Sequence, residues 1–233
     1  MKRGESVRKL FVILLSAMLL TACQEGKAPV ETKDKTQNNK KETVQVKEKQ
    51  GATTHHKEIK DGITYIDGIL IVNKDIALPK TYHPDVSQVA NQHLNELIAA
   101  GNEDGLNFVL RSAFRSYETQ ASLYNQYVTR DGQKKADTYS ARPGHSEHQT
   151  GLAFDLGNIE GTDDFMESFE DTKEGKWLKS HAHEYGFIIR YPKGKTDITG
   201  YQYEPWHLRY LGQPTAEKVY ESGLTLEEYL GLK

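Results

Sequence analysis

An α+β domain is the fold class that this sequence predicts, and three observations predict it. Short apolar runs punctuated by glycine read as strands, other segments carry helical periodicity, and the two kinds mix without the regular β-α-β rhythm of a parallel sheet. The first strands fall at 63–66 (ITYI) and 69–73 (ILIVN). Val89, Ala90, His93, Leu94, Leu97 and Ile98 recur at i, i+1, i+4, i+5, i+8 and i+9, one face of an amphipathic helix that closes around Gly101. His93 on that stripe reads as a core-edge side chain. Residues 108–110 (FVL) predict a buried strand, followed by Arg115, Ser116 and a helix holding Ala121, Leu123 and Tyr124. A short strand is expected over 151–155, and a helix with Trp177, Leu178 and Tyr185 should end at Gly186. Residues 187–191 (FIIRY) give the next strand. Thr225 and Glu228 have the spacing of a capping box for a last short helix. No internal repeat is visible.

The chain has 233 residues and a formal net charge of −3, which gives no basic field for nucleic acid. Its first quarter differs in kind from the rest. Lys2, Arg3, Arg8 and Lys9 precede an apolar run from Leu10 to Leu20, the pattern of a signal peptide over 1–22. That run is short for a membrane span, which takes about 20 apolar residues. Leu20-Thr21-Ala22-Cys23 resembles a bacterial lipobox, so Cys23, the one cysteine in the chain, is expected to carry lipid after cleavage. Residues 23–58 are rich in Lys, Glu, Gln, Asn and Thr, cannot bury enough apolar surface to fold, and read as a disordered tether. Its flexible-coil span is roughly 30 Å. His55 and His56 read as a solvated pair within it. The folded domain is expected over 59–233, held at the outer face of the cytoplasmic membrane by the lipid and acting as a monomer.

Reactive side chains concentrate in two stretches, 146–155 (SEHQTGLAFD) and 204–207 (EPWH). Zinc takes imidazole nitrogens and carboxylate oxygens near 2 Å, and a catalytic site leaves one position open. His148, Asp155 and His207 offer two nitrogens and an oxygen, although Glu204 is a second carboxylate that residue chemistry alone does not set apart. Gly151 permits a turn after His148. Pro205 argues against a helix through 204–207, and in an ideal strand Glu204 and His207 would face opposite sides, so a bend or bulge must bring both into one site. Arg115 is a plausible donor to a developing oxyanion.

Taken together and in order, these motifs resemble the zinc-dependent D-alanyl-D-alanine carboxypeptidases that include VanY-like enzymes. SEHQTGLAFD is similar to the SxHxxGxAxD signature, EPWH to the downstream ExxH element, and SAFRSYETQ to the arginine-bearing segment. Residues 71–84 (IVNKDIALPKTYHP) resemble a strand and loop that open the family's domain. The resemblance covers about 63–210 and implies one Zn2+ ion held by His148, Asp155 and His207, with Glu204 as general base and acid. It places Arg115 near the scissile carbonyl, and Gln120 and Ser146 near the substrate's terminal carboxylate. The implied fold is a small single domain with a central antiparallel sheet flanked by helices, shared with Hedgehog-type domains. The implied partner is the peptidoglycan stem peptide, and the expected reaction is removal of its last D-alanine from a D-Ala-D-Ala pentapeptide. An L,D-carboxypeptidase acting on tetrapeptide stems is the alternative within the same chemistry. A non-catalytic cell-wall-binding module is the alternative from another class, and Glu204 weighs against it. A cross-link endopeptidase would need a groove open at both ends. Among the remaining candidates, His181 and His183 read as helix or surface residues, His145 as a pocket border, and Trp206 as a pocket wall or as plain packing. Arg142 and Arg190 read as contacts to an anionic peptide or as surface ion pairs.

Overall fold

The computed structural model describes residues 54–233. The signal peptide, Cys23 and most of the tether lie outside the described residues. The domain starts slightly before the expected boundary: Lys57–Lys60 forms strand β1, antiparallel to β2 (Ile63–Ile66), which pairs with β3 (Ile69–Leu70). Lys57 and Glu58, read as tether from their polarity, are held by ladder bonds that composition does not reveal. His55 and His56 are likewise engaged. Asp67, in the β2–β3 turn, lies 2.6 Å from His55 Nδ1 through Oδ2 and accepts the His56 N–H at 2.7 Å through Oδ1.

Helix α1 (Gln88–Glu103) starts at Ser87, whose hydroxyl accepts the Ala90 N–H, and buries Ala90, Leu94 and Leu97. It runs past Gly101 rather than ending there. A Cβ at Gly101 would lie 2.4 Å from the Phe108 ring, so this glycine serves close packing and not termination. His93 stacks on Tyr210 with centroids 5.3 Å apart, the core-edge place expected.

Strand β4 (Phe108–Ser112) turns Phe108 inward but leaves Leu110 44% exposed, because β4 is an edge strand and not a central one. Helices α2 (Tyr117–Asp131) and α3 (Gln133–Tyr139) follow, then β5 (Ala153–Asn158), α4 (Lys173–His181) and β6 (Phe187–Tyr191). A 3₁₀ turn carries the chain from α4 to Gly186, where φ is 84°. The four-residue helix α5 (Thr196–Thr199), strand β7 (Glu204–Tyr210), α6 (Gln213–Ser222) and α7 (Leu226–Tyr229) complete the fold. The Thr225–Glu228 capping box forms in full.

The main sheet has the order β4-β5-β7-β6 and is antiparallel throughout, as expected. Phe154, Leu156, Phe187 and Leu208 pack with α1 and with Leu178 of α4 in one core. Ile188, one residue on from Phe187, joins Ala216, Val219 and Leu226 in a second core, as strand alternation requires. The site is therefore hung on a sheet buried on both sides along β7, whose residues Glu204 to Arg209 are all buried.

Candidate active site

Three strands and one turn bring the reactive residues together. Glu147–Thr150 forms a 3₁₀ turn that presents His148. Gly151, with φ 70°, then reverses the chain, and a Cβ there would lie 2.0 Å from the Asp85 carbonyl oxygen. The chain returns as β5, where Asp155 pairs with His207 of β7 on one side and Ser112 of β4 on the other. Ser112, Asp155 and His207 thus form one row across the sheet.

His148, Asp155 and His207 are buried, with one ligand atom from each within 4.8 Å of the others. Asp155 Oδ2 is 3.1 Å from His148 Nε2, and Oδ1 is 3.2 Å from His207 Nδ1. His148 Nδ1 is 2.7 Å from the Ala113 carbonyl, so a proton on Nδ1 leaves the Nε2 lone pair facing Asp155. His207 Nε2 faces Glu147 Oε2 at 3.6 Å, which turns Nδ1 inward. Asp155 Oδ1 is buried without a hydrogen-bond partner among the described residues. Burial opposes charge on His207, yet Asp155, Glu147 and Glu204 together raise it to about 9. Burial also opposes ionisation of Asp155, but the two imidazoles outweigh it and hold the carboxyl well below the usual carboxylate range. Burial acts the other way on His148 and lowers it, so the pull toward positive charge comes from the Asp155–His207 pair. Two imidazole nitrogens and an under-satisfied carboxylate fit zinc with a position left open.

Glu204 approaches this centre because β7 is irregular where the sequence required it. Tyr191 pairs with Glu204 and Ile189 with Leu208, so four steps along β7 match two along β6. The break in register spans Pro205, frees the segment from strict alternation, and leaves Glu204 Oε2 3.5 Å from His207 Nδ1. Burial pushes Glu204 up to about 8. Arg115 also lines the cleft, its guanidinium fixed by Ser112 Oγ and Gln120 Oε1, both at 2.9 Å. Ser146 lines the cleft. Gln120 does not. Its amide is spent on Arg115, on the Ala141 carbonyl at 2.6 Å and on Ser140, so it positions Arg115 instead of meeting a carboxylate.

Behind the centre lies a buried ionic network that the sequence reading missed. Glu147 Oε1 accepts from Arg190 Nε and Arg209 Nη1, both at 2.8 Å. Arg190 also forms a two-pronged pair with Glu227 at 2.8 and 2.6 Å, and Arg209 Nη2 donates to the Leu70 carbonyl at 2.6 Å. Arg190 is fully buried, which removes it as a surface or peptide-facing residue. The available signal was an arginine inside an otherwise apolar strand, FIIRY, since a charge there requires buried partners.

The cleft, of about 590 Å³, is walled near the centre by Tyr191, Trp206 and Phe165. The Tyr191 ring lies 4.9 Å from that of His207. Trp206 is thus the border the sequence suggested. His145 lies outside the wall, with Nδ1 2.8 Å from the Asn73 carbonyl. His181 stacks on Trp177 and His183 on Tyr220, away from the site. Arg142 pairs with Asp137.

Comparison with known proteins agrees with this geometry. The family model described as D-alanyl-D-alanine carboxypeptidase, VanY, matches residues 83–213. The protein YodJ of Bacillus subtilis (strain 168) is 37% identical over 224 residues, covering 85% of this chain and 82% of that one. The L,D-carboxypeptidase DacB of Streptococcus pneumoniae superposes with a TM-score of 0.69 at 46% identity, covering 76% of this chain and 96% of that one. The vancomycin-resistance D,D-pentapeptidase VanY, in a structure with Zn(II), gives a TM-score of 0.60 at 32% identity, covering 69% and 97%. On fold, motif order and the geometry of the buried triad, this chain belongs to the VanY family of zinc-dependent carboxypeptidases.

Proposed function

We propose that the chain releases the C-terminal D-alanine of peptidoglycan stem peptides, with His148, Asp155 and His207 as zinc ligands. The observation that carries the reading is the buried triad with Glu204 and Arg115 in the same cleft. Zinc bound there supplies Lewis acidity toward a peptide carbonyl and makes water a nucleophile at neutral pH. Glu204 takes the proton of the attacking water and returns it to the nitrogen of the departing D-alanine. Burial that lifts its carboxyl to about 8 suits it to handing that proton on to the leaving nitrogen. Arg115, already oriented by Ser112 and Gln120, donates to the carbonyl oxygen as negative charge gathers on it. One water is consumed, the C–N bond breaks, and a shortened carboxylate and free D-alanine leave.

Pentapeptide and tetrapeptide stems demand the same machinery and differ in the residue before the cut. The family's description supports the pentapeptide reading. The higher identity to the L,D-carboxypeptidase, 46% against 32%, supports the tetrapeptide. Full-length protein loaded with zinc should release D-alanine, detected by mass spectrometry, and a chelator should stop it. Release from pentapeptide alone assigns a D,D enzyme, release from tetrapeptide alone an L,D enzyme. Chelator-insensitive release, or none from either with zinc bound, overturns the proposal.

The proposal extends to location. Support comes from the lipobox-like Leu20-Thr21-Ala22-Cys23, by which Cys23 would bear lipid at the outer face of the cytoplasmic membrane. Cells fed a labelled fatty acid should label the wild-type chain and not Cys23→Ala. Equal labelling of the two would remove the anchor.

A further inference from the structure

The cleft has a second end, remote from the metal triad and charged. Leu123, Tyr127, Arg130 and Asp131 follow i, i+4, i+7 and i+8 along α2, so one helix face walls the cleft from the catalytic centre outward. Lys135 of α3 joins them. At 1.5 Å per residue, Arg130 lies about 20 Å along the axis from Tyr117, the first residue of α2. Arg115 stands just before that start, so the two arginines serve different parts of a bound peptide. A second concavity, lined by Asp131, Lys134 and Lys135 among others, continues from the same turn.

The charges at this end do not cancel. Asp131 Oδ2 accepts from Arg130 Nε at 3.0 Å, Arg130 Nη2 at 2.8 Å and the Tyr139 hydroxyl at 2.5 Å. Those bonds occupy the Oδ2 side of Asp131 and fix the guanidinium, which also lies 5.0 Å over the Tyr127 ring. Arg130 Nη1 makes no hydrogen bond among the described residues, and Lys135 is exposed and forms no ion pair among them. In the cleft lining at this end, Arg130 and Lys135 against Asp131 leave one net positive charge, and Lys134 of the adjoining concavity adds a second.

We infer that this end is a carboxylate subsite: it takes a free carboxylate that the stem peptide carries away from the residue being cut. The inference rests on the stem-peptide reading above and deepens it to a substrate class, the unamidated stem. A stem peptide offers two such groups, the α-carboxylate of its γ-linked D-glutamate and the side-chain carboxylate of a diaminopimelate residue. Amidation converts either to a neutral amide.

Four synthetic stem peptides separate these sources: both carboxylates free, either one amidated, or both amidated. With full-length, zinc-loaded protein, amidation of the recognised group should lower kcat/KM for D-alanine release roughly fivefold, chiefly through KM, as expected for a partly exposed ion pair. The peptide that responds names the source, and the difference should shrink in about 1 M salt. Lys135→Gln should level the acidic and amidated peptides, and Lys135→Arg should keep them apart, with zinc content unchanged in both. Equal kcat/KM for all four peptides overturns the inference and leaves the stem-peptide reading standing. No release from any of the four overturns both.

Discussion

Glu204→Ala should keep its zinc and lose about 10²- to 10⁴-fold in turnover, the usual worth of a positioned proton-transfer group. The three ligand side chains remain, and His207 keeps its contacts with Asp155 and Glu147, so metal content measured by elemental analysis should match the wild type. What disappears is the carboxylate that burial holds near 8, and with it the proposed carrier of a proton from water to leaving amine. Glu204→Gln, which keeps the shape, should fall as far. Turnover within tenfold of wild type would refute the assignment of Glu204 as base. Loss of zinc in both variants would instead make it a ligand. A wall-binding module has no use for this residue, so a large activity loss with intact metal also excludes that reading.

Arg190→Met should destabilise the domain by about 3–5 kcal/mol, the cost of leaving a buried charge without its partner. Arg190 is the sole charged partner of Glu227 among the described residues; without it that buried carboxylate keeps a 3.4 Å contact to Asn73. For a domain of this size the loss corresponds to a drop in Tm of roughly 10 °C. Arg190→Lys should not rescue it, because one ammonium cannot satisfy Glu147 and a two-pronged Glu227 at once. Removing the second charge as well, in Arg190→Met with Glu227→Leu, should recover part of the loss. Differential scanning calorimetry decides the matter. A Tm unchanged to within about 2 °C in the single variant would show that the network adds little to stability.

Legibility in the sequence followed the range of the interactions. The α1 stripe, the Thr225 cap and the Gly151 turn are local, and each could be read from a few neighbouring residues. The candidate metal triad and Glu204 could be read because the two motifs carry their own signature, and the three-residue spacing of Glu204 and His207 already required the irregularity of β7. What stayed hidden depends on contacts across long stretches of chain. Gln120 carries no local sign that its amide is consumed by Arg115 and Ala141. Glu147 sits inside the motif, yet its role is set by arginines 43 and 62 residues away. Leu110 reads as core, and only its place on an edge strand exposes it. His55 to Glu58 read as tether because composition does not record a β-ladder or the Asp67 carboxylate waiting in the next turn.

The break in register on β7 also limits how this chemistry could be transplanted. A designer who copied His148, Asp155, His207 and Glu204 onto a regular antiparallel scaffold would keep the candidate ligands and lose the proposed acid, since an unbroken strand sends residues three apart to opposite faces. The portable unit is the strand pair with its mismatch intact, Ile189–Tyr191 against Glu204–Leu208, not four side chains.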